Sequence, residues 1–250
     1  MAGRIYAFAN QKGGVGKTTT AINLAACLAE AGEKSVVVDL DPQANATSGL
    51  GMRANGTSTY DLLDGAPLAE LAKPTQFANL FLVPSRPELA GAAVELSRRE
   101  DGERFLAETL ANAEDFDFVL LDCPPSLGPL TVNALAAADR VIVPVQTEYY
   151  ALEGLAQLVQ SINMIKTRLN PRLEIAGVLL TMADSRTRLS ADVEAEVRRH
   201  FGDLVFDAVV PRSVRVAEAP SHGLPVTHYD RRSRGAEAYW KVAMELVERR

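Results

Sequence analysis

The chain has 250 residues, of which 47% are hydrophobic and 23% are charged. This balance is typical of a globular protein and excludes a disordered, collagen-like or disulfide-rich one. The formal net charge is −6, but it is uneven: residues 1–185 carry 14 basic and 22 acidic side chains, whereas residues 186–250 carry 12 and 10. The C-terminal quarter is therefore where a polyanion would dock.

Cysteine content and hydropathy indicate the compartment. Cys27 and Cys123 are the two cysteines of the sequence, and their spacing matches neither a disulfide framework nor a zinc site. The first residues lack the apolar stretch of a signal peptide, and no apolar run approaches the roughly 18 residues that span a membrane. We therefore expect a cytoplasmic protein that has no membrane partner.

The first predicted unit is a strand, a glycine-rich loop and a helix. Residues 5–10 form a short apolar run, residues 19–31 carry apolar side chains at helical spacing, and Gly32 follows as a helix stop. Residues 35–41 are a β-branched run typical of a strand that is buried on both faces. A strand–helix–strand unit is thus complete at residue 40.

The rest of the chain continues this alternation. Residues 51–74 are rich in glycine, threonine and serine and predict a surface loop with a short helix. The further predicted elements are strands at residues 80–83, 118–121, 141–145, 175–181 and 204–210 and a terminal helix at residues 235–250. This pattern predicts an α/β protein: one domain over residues 1–250, with a single doubly wound, mainly parallel sheet, helices on both faces and a ligand beyond the carboxyl ends of the strands.

The glycine-rich loop has the composition of a phosphate-binding site. It reads Lys-Gly-Gly-Val-Gly-Lys-Thr over residues 12–18, between the first strand and the first helix. Backbone N–H groups of such a loop converge on phosphate oxygens, Lys17 would neutralise the β- and γ-phosphates, and Thr18 would offer its hydroxyl to Mg²⁺. The residues expected around the nucleotide are Gly13, Gly14, Val15, Gly16, Lys17, Thr18 and Thr19. The alternative is a glycine turn without a ligand.

Three aspartates follow predicted strands at one edge of the sheet. Asp39 and Asp41 end the second strand, and Asp122 follows the strand at 118–121. A carboxylate there is costly unless it meets a cation or hydrogen-bond donors, and a phosphate site supplies Mg²⁺. We expect Asp122 to hold Mg²⁺ through water. For Asp39 and Asp41 the alternative is an Asx turn before Pro42.

Position 11 departs from the common phosphate-loop pattern. The pattern G-x-x-x-x-G-K-[ST] would place a glycine where Gln11 stands, and Lys12 follows instead. This arrangement resembles the deviant Walker A motif of the ParA/MinD/NifH group of P-loop ATPases. The resemblance to the chromosomal ParA/Soj partition ATPases extends over nearly the whole chain, through residues 10–20, 39–51, 121–127, 145–154 and 216–223.

The resemblance implies a molecular switch that uses ATP, ADP and Mg²⁺. ATP would drive formation of a sandwich homodimer in which Lys12 contacts the nucleotide of the partner subunit, Asp41 would position or activate the hydrolytic water, and Asp39 would support the metal. The dimer would bind double-stranded DNA of the nucleoid without sequence preference, and a ParB-type protein would stimulate a slow intrinsic hydrolysis. The absence of an N-terminal helix-turn-helix segment predicts no operator-specific repression.

The resemblance also implies DNA and base contacts. The DNA candidates by resemblance are Arg186, Arg188, Arg212 and Arg215, and the candidates by charge alone are Arg231, Arg232 and Arg234. Arginines that contact only the phosphates of DNA would give affinity without sequence specificity. The alternative is that these arginines form a solvated charged surface without a ligand. Independently of the resemblance, Pro211 and Arg212 are expected to border the adenine, because their loop follows the carboxyl end of the predicted strand at 204–210. Ala183 stands where relatives are expected to carry an aromatic residue.

Four other functions compete with this one. A MinD-like membrane switch would need a basic amphipathic C-terminal helix, but Glu245 and Glu248 lie in that segment. A nitrogenase-like iron–sulfur ATPase would need two loop cysteines, and Cys27 is predicted within a helix. A metabolic P-loop ligase would need a second substrate-binding pattern, which the sequence does not display. A nucleotide-free scaffold is the fourth alternative.

Overall fold

The computed structural model describes residues 4–111, 113–149 and 151–249. The strands of this part are β1 (Arg4–Phe8), β2 (Ser35–Asp39), β3 (Lys73–Pro74), β4 (Leu80–Val83), β5 (Phe118–Asp122), β6 (Arg140–Gln146) and β7 (Glu174–Thr181). They form one sheet in the order β3-β4-β2-β5-β1-β6-β7, in which only β3 and β4 pair antiparallel. The predicted α/β class with a mainly parallel sheet is confirmed, and the prediction of one domain over residues 1–250 stays a prediction.

Helices cover both faces of this sheet. They are α1 (Lys17–Glu30), α2 (Asn45–Gly49), α3 (Thr59–Leu63), α4 (Leu68–Leu71), α5 (Leu89–Leu96), α6 (Phe105–Leu110), α7 (Pro129–Ala137), α8 (Ala151–Arg168), α9 (Arg188–Phe201), α10 (Val214–Glu218), α11 (Val226–Tyr229) and α12 (Arg234–Glu248). One apolar cluster packs α3 to α9 on one face, and a second packs α1, α2, α11 and α12 on the other. Among the described residues, no helix has the length and apolar character needed to cross a membrane.

The central strands explain why the functional residues meet. β2 and β5 are buried at every position, and their alternate residues join opposite clusters, as the two-residue repeat of a strand requires. In the register of the sheet, Asp39 lies beside Asp122, and Asp122 lies beside Phe8. The ends of β1, β2 and β5 therefore meet at one edge, where the glycine-rich loop begins.

Several predicted boundaries differ from the observed ones. β1 and β2 end at Phe8 and Asp39, two residues before the predicted ends, and α1 begins at Lys17 instead of residue 19. The segment 51–74 contains α3, α4 and β3 instead of one short helix. The terminal helix begins one residue early and reaches Glu248, while Arg250 lies outside the described residues.

The predicted strand at residues 204–210 is wrong. A 3₁₀ helix ends at Leu204, and the segment then makes one isolated bridge, between Val205 and Val178. The N–H groups of Phe206 and Val210 donate to β7 carbonyls that are only two residues apart, at Val178 and Leu180. Four residues of this segment thus run beside two of β7, so a regular ladder cannot continue. The apolar pattern that suggested a strand reflects burial, since Val205, Phe206 and Val210 belong to the core.

The two margins of the sheet are also covered. At one margin, β3 has two residues, and one of them is Pro74, which has no N–H to donate. At the other margin, N–H groups of the segment 205–210 donate hydrogen bonds to the β7 carbonyl oxygens of Val178 and Leu180. Both edges of the described sheet therefore have few backbone groups left to pair with a further strand.

Candidate nucleotide-binding site

The glycine-rich loop is shaped by its glycines and held by β7. Gly14 and Gly16 have φ values of 74° and 89°, in the left-handed region that favours glycine. The Thr181 hydroxyl, at the end of β7, donates a 2.8 Å hydrogen bond to the Val15 carbonyl oxygen. Gly16 is the N-cap of α1, and no side chain caps this helix end. The first-turn N–H groups of α1 are therefore available to a phosphate.

Lys17 lies inside the site. It is only 6% exposed, and its ammonium donates a 3.3 Å hydrogen bond to the Lys12 carbonyl oxygen. Burial lowers the pKa of Lys17, while the negative charges of Asp122 and Asp41 oppose this shift. The ammonium thus lies between the loop and the carboxylates, where the sequence predicts the β- and γ-phosphates.

Asp122 is a fully buried carboxylate that lacks hydrogen-bond partners. Neither of its oxygens has a partner within the described part of the chain. Burial and the negative charge of Asp39 raise the pKa of Asp122 well above its usual range. The Thr18 hydroxyl, which lies near Asp122 without meeting hydrogen-bond geometry, and the Lys17 ammonium oppose this shift. A buried carboxylate of this kind needs a cation or donors, so the arrangement fits a hydrated Mg²⁺. The prediction that Asp122 and Thr18 hold the metal stays a prediction.

Asp39 has a different environment from Asp122. Its Oδ2 accepts hydrogen bonds from the Thr47 N–H at 2.8 Å and the Thr47 hydroxyl at 2.7 Å, and its Oδ1 accepts one from the Asp41 N–H at 3.2 Å. The hydrogen bonds lower the pKa of Asp39, but burial has the larger effect, so the pKa is raised to about 6. Through these three hydrogen bonds Asp39 holds the loop after β2 in place, at Asp41 and Thr47. Its metal role also stays a prediction.

Asp41 forms the Asx turn that the sequence left as an alternative. Its Oδ1 accepts a 2.9 Å hydrogen bond from the Gln43 N–H across Pro42. The side chain is largely buried, at 7% exposure, and its charge acts on Lys17. The turn fixes the orientation of the Asp41 carboxylate and still allows it to position a hydrolytic water. The geometry therefore fits both the structural role in the turn and the expected role in hydrolysis.

The Lys12 side chain contacts Glu148, a residue outside the phosphate loop. Its ammonium forms a 2.7 Å ion pair with Glu148, and both side chains are about half exposed. The other Glu148 carboxylate oxygen accepts a 2.6 Å hydrogen bond from Gln146. The Lys12 N–H donates to Asn10, which donates in turn to the Pro144 carbonyl oxygen. Sequence reasoning missed Asn10, Gln146 and Glu148, although they lie in the quoted blocks 10–20 and 145–154.

The segment expected to border the adenine, Pro211 and Arg212, lies beside the residues that follow β7. The Ala183 N–H donates to the Val210 carbonyl oxygen, and the Arg212 N–H donates to the Ala183 carbonyl oxygen. Ala183 and Pro211 form an isolated parallel bridge. Met182, between Ala183 and the Thr181 that holds the phosphate loop, has a φ of 51°, which is rare for a residue other than glycine. Pro211 and Arg212 thus lie near the phosphate loop through β7, and their contact with the base stays a prediction.

The arginines predicted to bind DNA lie on separate exposed segments, and most are paired. Arg186 forms a 2.7 Å ion pair with Asp184, and this arginine holds the pKa of Asp184 well below its usual range. The remaining pairs join Arg188 to Asp192, Arg215 to Glu218 and Asp230, and Arg231 to Glu30. Arg232 has no ion pair with another described residue. The DNA contacts of these arginines stay predictions.

Comparisons with known proteins agree with the fold and indicate the family of the chain. The model of a family described as an AAA domain matches residues 3–175. The chain is 54% identical to the chromosome-partitioning ATPase Soj of Thermus thermophilus, covering 98% of this chain and 96% of that one. It is 50% identical to the chromosome-partitioning ATPase Soj of Treponema pallidum, covering 99% and 98%.

Two solved structures are similar over nearly their whole length. Cobyrinic acid a,c-diamide synthase from Mycobacterium smegmatis, with bound ADP and magnesium, is 37% identical with a TM-score of 0.85, covering 98% of this chain and 94% of that one. The cell division ATPase MinD of Pyrococcus furiosus is 26% identical with a TM-score of 0.81, covering 98% and 99%.

The fold and the site define a P-loop ATPase whose phosphate loop carries a second lysine, Lys12. Solved structures of the similar cobyrinic acid a,c-diamide synthase hold ADP or an ATP analogue together with magnesium. The chain belongs to the ParA/Soj family of chromosome-partitioning ATPases.

Proposed function

We propose that this ATPase is a nucleotide-dependent switch in chromosome segregation. Two ATP-bound copies form a sandwich dimer that binds nucleoid DNA without sequence preference, and a ParB-type protein stimulates hydrolysis and release. The observation that carries the proposal is Lys12, a half-exposed cation in the predicted phosphate loop. Its only described carboxylate partner is the equally exposed Glu148. The names of the relatives support the same role.

The proposed chemistry depends on positioning. The uncapped N-terminus of α1 and the ammonium of Lys17 bind the phosphates, and Asp122 and Thr18 hold Mg²⁺, which neutralises phosphate charge when bound. Asp41, oriented by the Gln43 N–H, positions the attacking water. The sequence offers no obvious arginine finger or water-positioning glutamine, so intrinsic hydrolysis is slow and responds to a partner.

Dimer formation requires Lys12 to exchange one anionic partner for another. In the single subunit its ammonium contacts Glu148 at 2.7 Å. In the proposed dimer the ammonium contacts a phosphate of the partner subunit's nucleotide, where it offsets charge between two facing sites. Exposed ion pairs are worth about 0–1 kcal/mol, so leaving Glu148 is a small obstacle.

Glu148→Gln is expected to favour the dimer. The substitution removes the charge that holds Lys12 but keeps the size of the side chain. We expect half-maximal dimerisation at a two- to fivefold lower ATP concentration, which corresponds to about 0.4–1 kcal/mol. Sedimentation velocity across an ATP series, in an Asp41→Ala background, measures this shift. Glu153→Gln, on the exposed face of α8, is the matched control, and a weaker dimer would instead place Glu148 among groups needed within the dimer.

The test of the proposed function is nucleotide-dependent binding to two surfaces. Random-sequence duplex DNA and anionic liposomes are presented to the protein with ATP, ADP or no nucleotide, at one stated salt concentration. DNA binding that requires ATP and disappears in Lys17→Ala is the expected result. Liposome binding without DNA binding would support a MinD-like membrane switch instead.

A synthetase is the second candidate, because one similar solved structure is a cobyrinic acid a,c-diamide synthase. Such an enzyme would couple ATP to a small acid or amide, which the described site does not by itself indicate. ADP formation that depends on a small molecule, without DNA or a protein partner, would support it. If the protein binds neither DNA nor liposomes in the first test, the synthetase becomes the next function to test.

A further inference from the structure

A polar pocket of about 390 Å³ lies next to the aspartates of the nucleotide site. One wall is formed by residues between 43 and 54, which include part of α2, and the other by residues 85–88, between β4 and α5. β2 and β4 are parallel neighbours, so the segments that follow them meet at the same edge of the sheet as Asp39 and Asp122. The pocket therefore adjoins the nucleotide site and is separate from the phosphate loop.

Hydrogen bonds join both walls of the pocket to these aspartates. The Ser85 N–H donates a 2.9 Å hydrogen bond to the Thr47 hydroxyl oxygen, and the Thr47 hydroxyl donates to Asp39 at 2.7 Å. On the other wall, the Gln43 N–H donates to Asp41 at 2.9 Å. Ser85 and Gln43 both line the pocket. A ligand in the pocket would therefore lie against groups that hold Asp39 and Asp41 in place.

The base of the pocket contains a buried hydroxyl without a partner. Thr47 and Ser85 are 3% and 1% exposed, and both line the pocket. The Ser85 hydroxyl oxygen has no hydrogen-bond partner within the part of the chain that the structure describes, although buried hydroxyl groups are normally hydrogen-bonded. Rotation about the Cα–Cβ bond moves this hydroxyl between staggered positions. A ligand with acceptor oxygens at the base of the pocket would then satisfy it.

The charged side chains that line the pocket are two arginines and one glutamate. Arg53 is exposed and has no ion pair with another described residue. The Arg86 Nε donates a 3.2 Å hydrogen bond to the Ser58 hydroxyl oxygen, which holds the guanidinium and leaves its terminal N–H groups without a described partner. Glu88 is exposed and also lacks a described ion pair. Two positive charges against one negative charge leave an excess of one, and guanidinium groups suit an oxyanion.

The hydrolysis of ATP supplies an oxyanion beside this pocket. The bond between the γ-phosphorus and the oxygen that bridges to the β-phosphate breaks, and the oxygen of water bonds to the γ-phosphorus. The products are ADP, inorganic phosphate and a proton. The attacking and leaving oxygens lie roughly in line. Because Asp41 is proposed to position the water, the phosphate would separate from ADP towards Asp41 and the Gln43 turn, and Gln43 lines the pocket.

We propose that this pocket binds the inorganic phosphate released by hydrolysis, through the guanidinium groups of Arg53 and Arg86 and the hydroxyl of Ser85. The pocket is larger than one phosphate ion, so the phosphate enters with part of its hydration water. A phosphate held there is separated from ADP by the loop after β2, which disfavours the reverse reaction. The direction in which the phosphate leaves rests on the proposed function, through the role of Asp41.

Phosphate binding by charge-removing variants tests the site. The full chain is saturated with Mg-ADP and titrated calorimetrically with inorganic phosphate at constant ionic strength. We expect Arg53→Gln and Arg86→Gln each to weaken phosphate binding about tenfold, because each removes a charge-assisted hydrogen bond. Glu88→Gln is expected to tighten binding about two- to fivefold by removing the opposing charge, and the Glu88 side chain makes no cap hydrogen bond that the substitution would break.

The matched control for the arginine variants is Arg168→Gln, which is expected to leave phosphate binding unchanged. Arg168 is exposed on α8 and has no ion pair with a described residue. Because Arg86 also holds Ser58, urea unfolding of Arg86→Gln verifies that this variant is folded. Arg53 has no such contact, so its variant tests the site without that complication.

Ser85→Ala tests the buried hydroxyl. Because this hydroxyl has no partner, we expect its removal to leave resistance to urea unchanged or higher while phosphate binding weakens about threefold. Absence of phosphate binding by the unsubstituted protein overturns the proposal. An affinity that either arginine substitution leaves unchanged also overturns it, because the phosphate would then lie elsewhere, as in the phosphate loop. The titration requires neither turnover nor DNA, so failure to bind DNA in any nucleotide state would contradict the proposed function alone.

Discussion

Asp41→Ala is expected to leave ATP binding intact and to lower kcat by at least about 100-fold, the range typical of a positioned acid or base. The reason is geometric: the Asx turn to Gln43 fixes the carboxylate at the edge of the site, while Lys17 and the loop proposed to bind the phosphates are unchanged. Single-turnover hydrolysis, measured together with the binding of a fluorescent ATP analogue, separates the two effects.

The control for this variant is Asp115→Ala, which removes an exposed carboxylate before the start of β5, whereas Asp122 lies at the opposite end of that strand. Turnover within twofold of the unsubstituted rate in Asp41→Ala would remove Asp41 from the hydrolytic step. Loss of ATP binding would instead show that the Asx turn is needed to form the site. If the proposed function holds, the same variant accumulates as an ATP-bound dimer on DNA.

Asp122→Asn is expected to stabilise the nucleotide-free protein and to abolish the effect of Mg²⁺ on ATP binding. Both Asp122 oxygens are buried without hydrogen-bond partners, and an unsatisfied buried polar group costs about 1–3 kcal/mol. Replacing the carboxylate with a neutral amide lowers this cost. Urea unfolding without nucleotide measures the gain, and ATP titrations with and without Mg²⁺ measure the loss.

The stability gain in Asp122→Asn is expected to increase with pH. Burial raises the pKa of Asp122, so the folded state binds the proton more tightly than the unfolded chain does. The stability that this proton contributes is complete below the unfolded pKa of about 3.9 and is lost as pH rises through the folded pKa. Asp39, whose pKa is raised to about 6, acts in the same direction. The stability gain in Asp122→Asn should therefore be larger at pH 8 than at pH 4.

Exposed Asp115→Asn is the control for the unfolding measurements. A loss of stability in Asp122→Asn at every pH would mean that the Asp122 charge is needed to offset Lys17. The two charges do act on one another, although burial has the larger effect on both pKa values.

Much of the site could be predicted because its residues are close in sequence to strand ends. Gly14, Gly16 and Lys17 follow β1 directly, and Asp122 is the last residue of β5. Parallel strands bring such positions to one edge, so spacing along the chain was sufficient. Asp39 and Asp122 lie side by side in the register, as their strand-end positions indicated.

Other features depend on contacts between distant segments. Glu148 meets Lys12 across 136 positions of sequence, and Thr181 holds Val15 across 166. The apolar pattern at 204–210 predicts a strand that the fold does not contain, because burial against β7 and α12 requires the same apolar residues as a strand ladder. Which arginines are paired is also decided by folding, since Arg231 meets Glu30 only when α12 packs beside α1.

The covered margins of the sheet bear on how copies of this protein associate. β3 ends one margin with Pro74, and the segment at 205–210 takes carbonyl groups of β7 at the other. Copies therefore have little opportunity to join strand to strand into an open-ended polymer. The proposed contact through Lys12 uses loops at the carboxyl edge instead, where each association closes on itself. The dimer proposed here would assemble and separate with each cycle of ATP binding and hydrolysis, without forming an extended polymer that has to be dismantled.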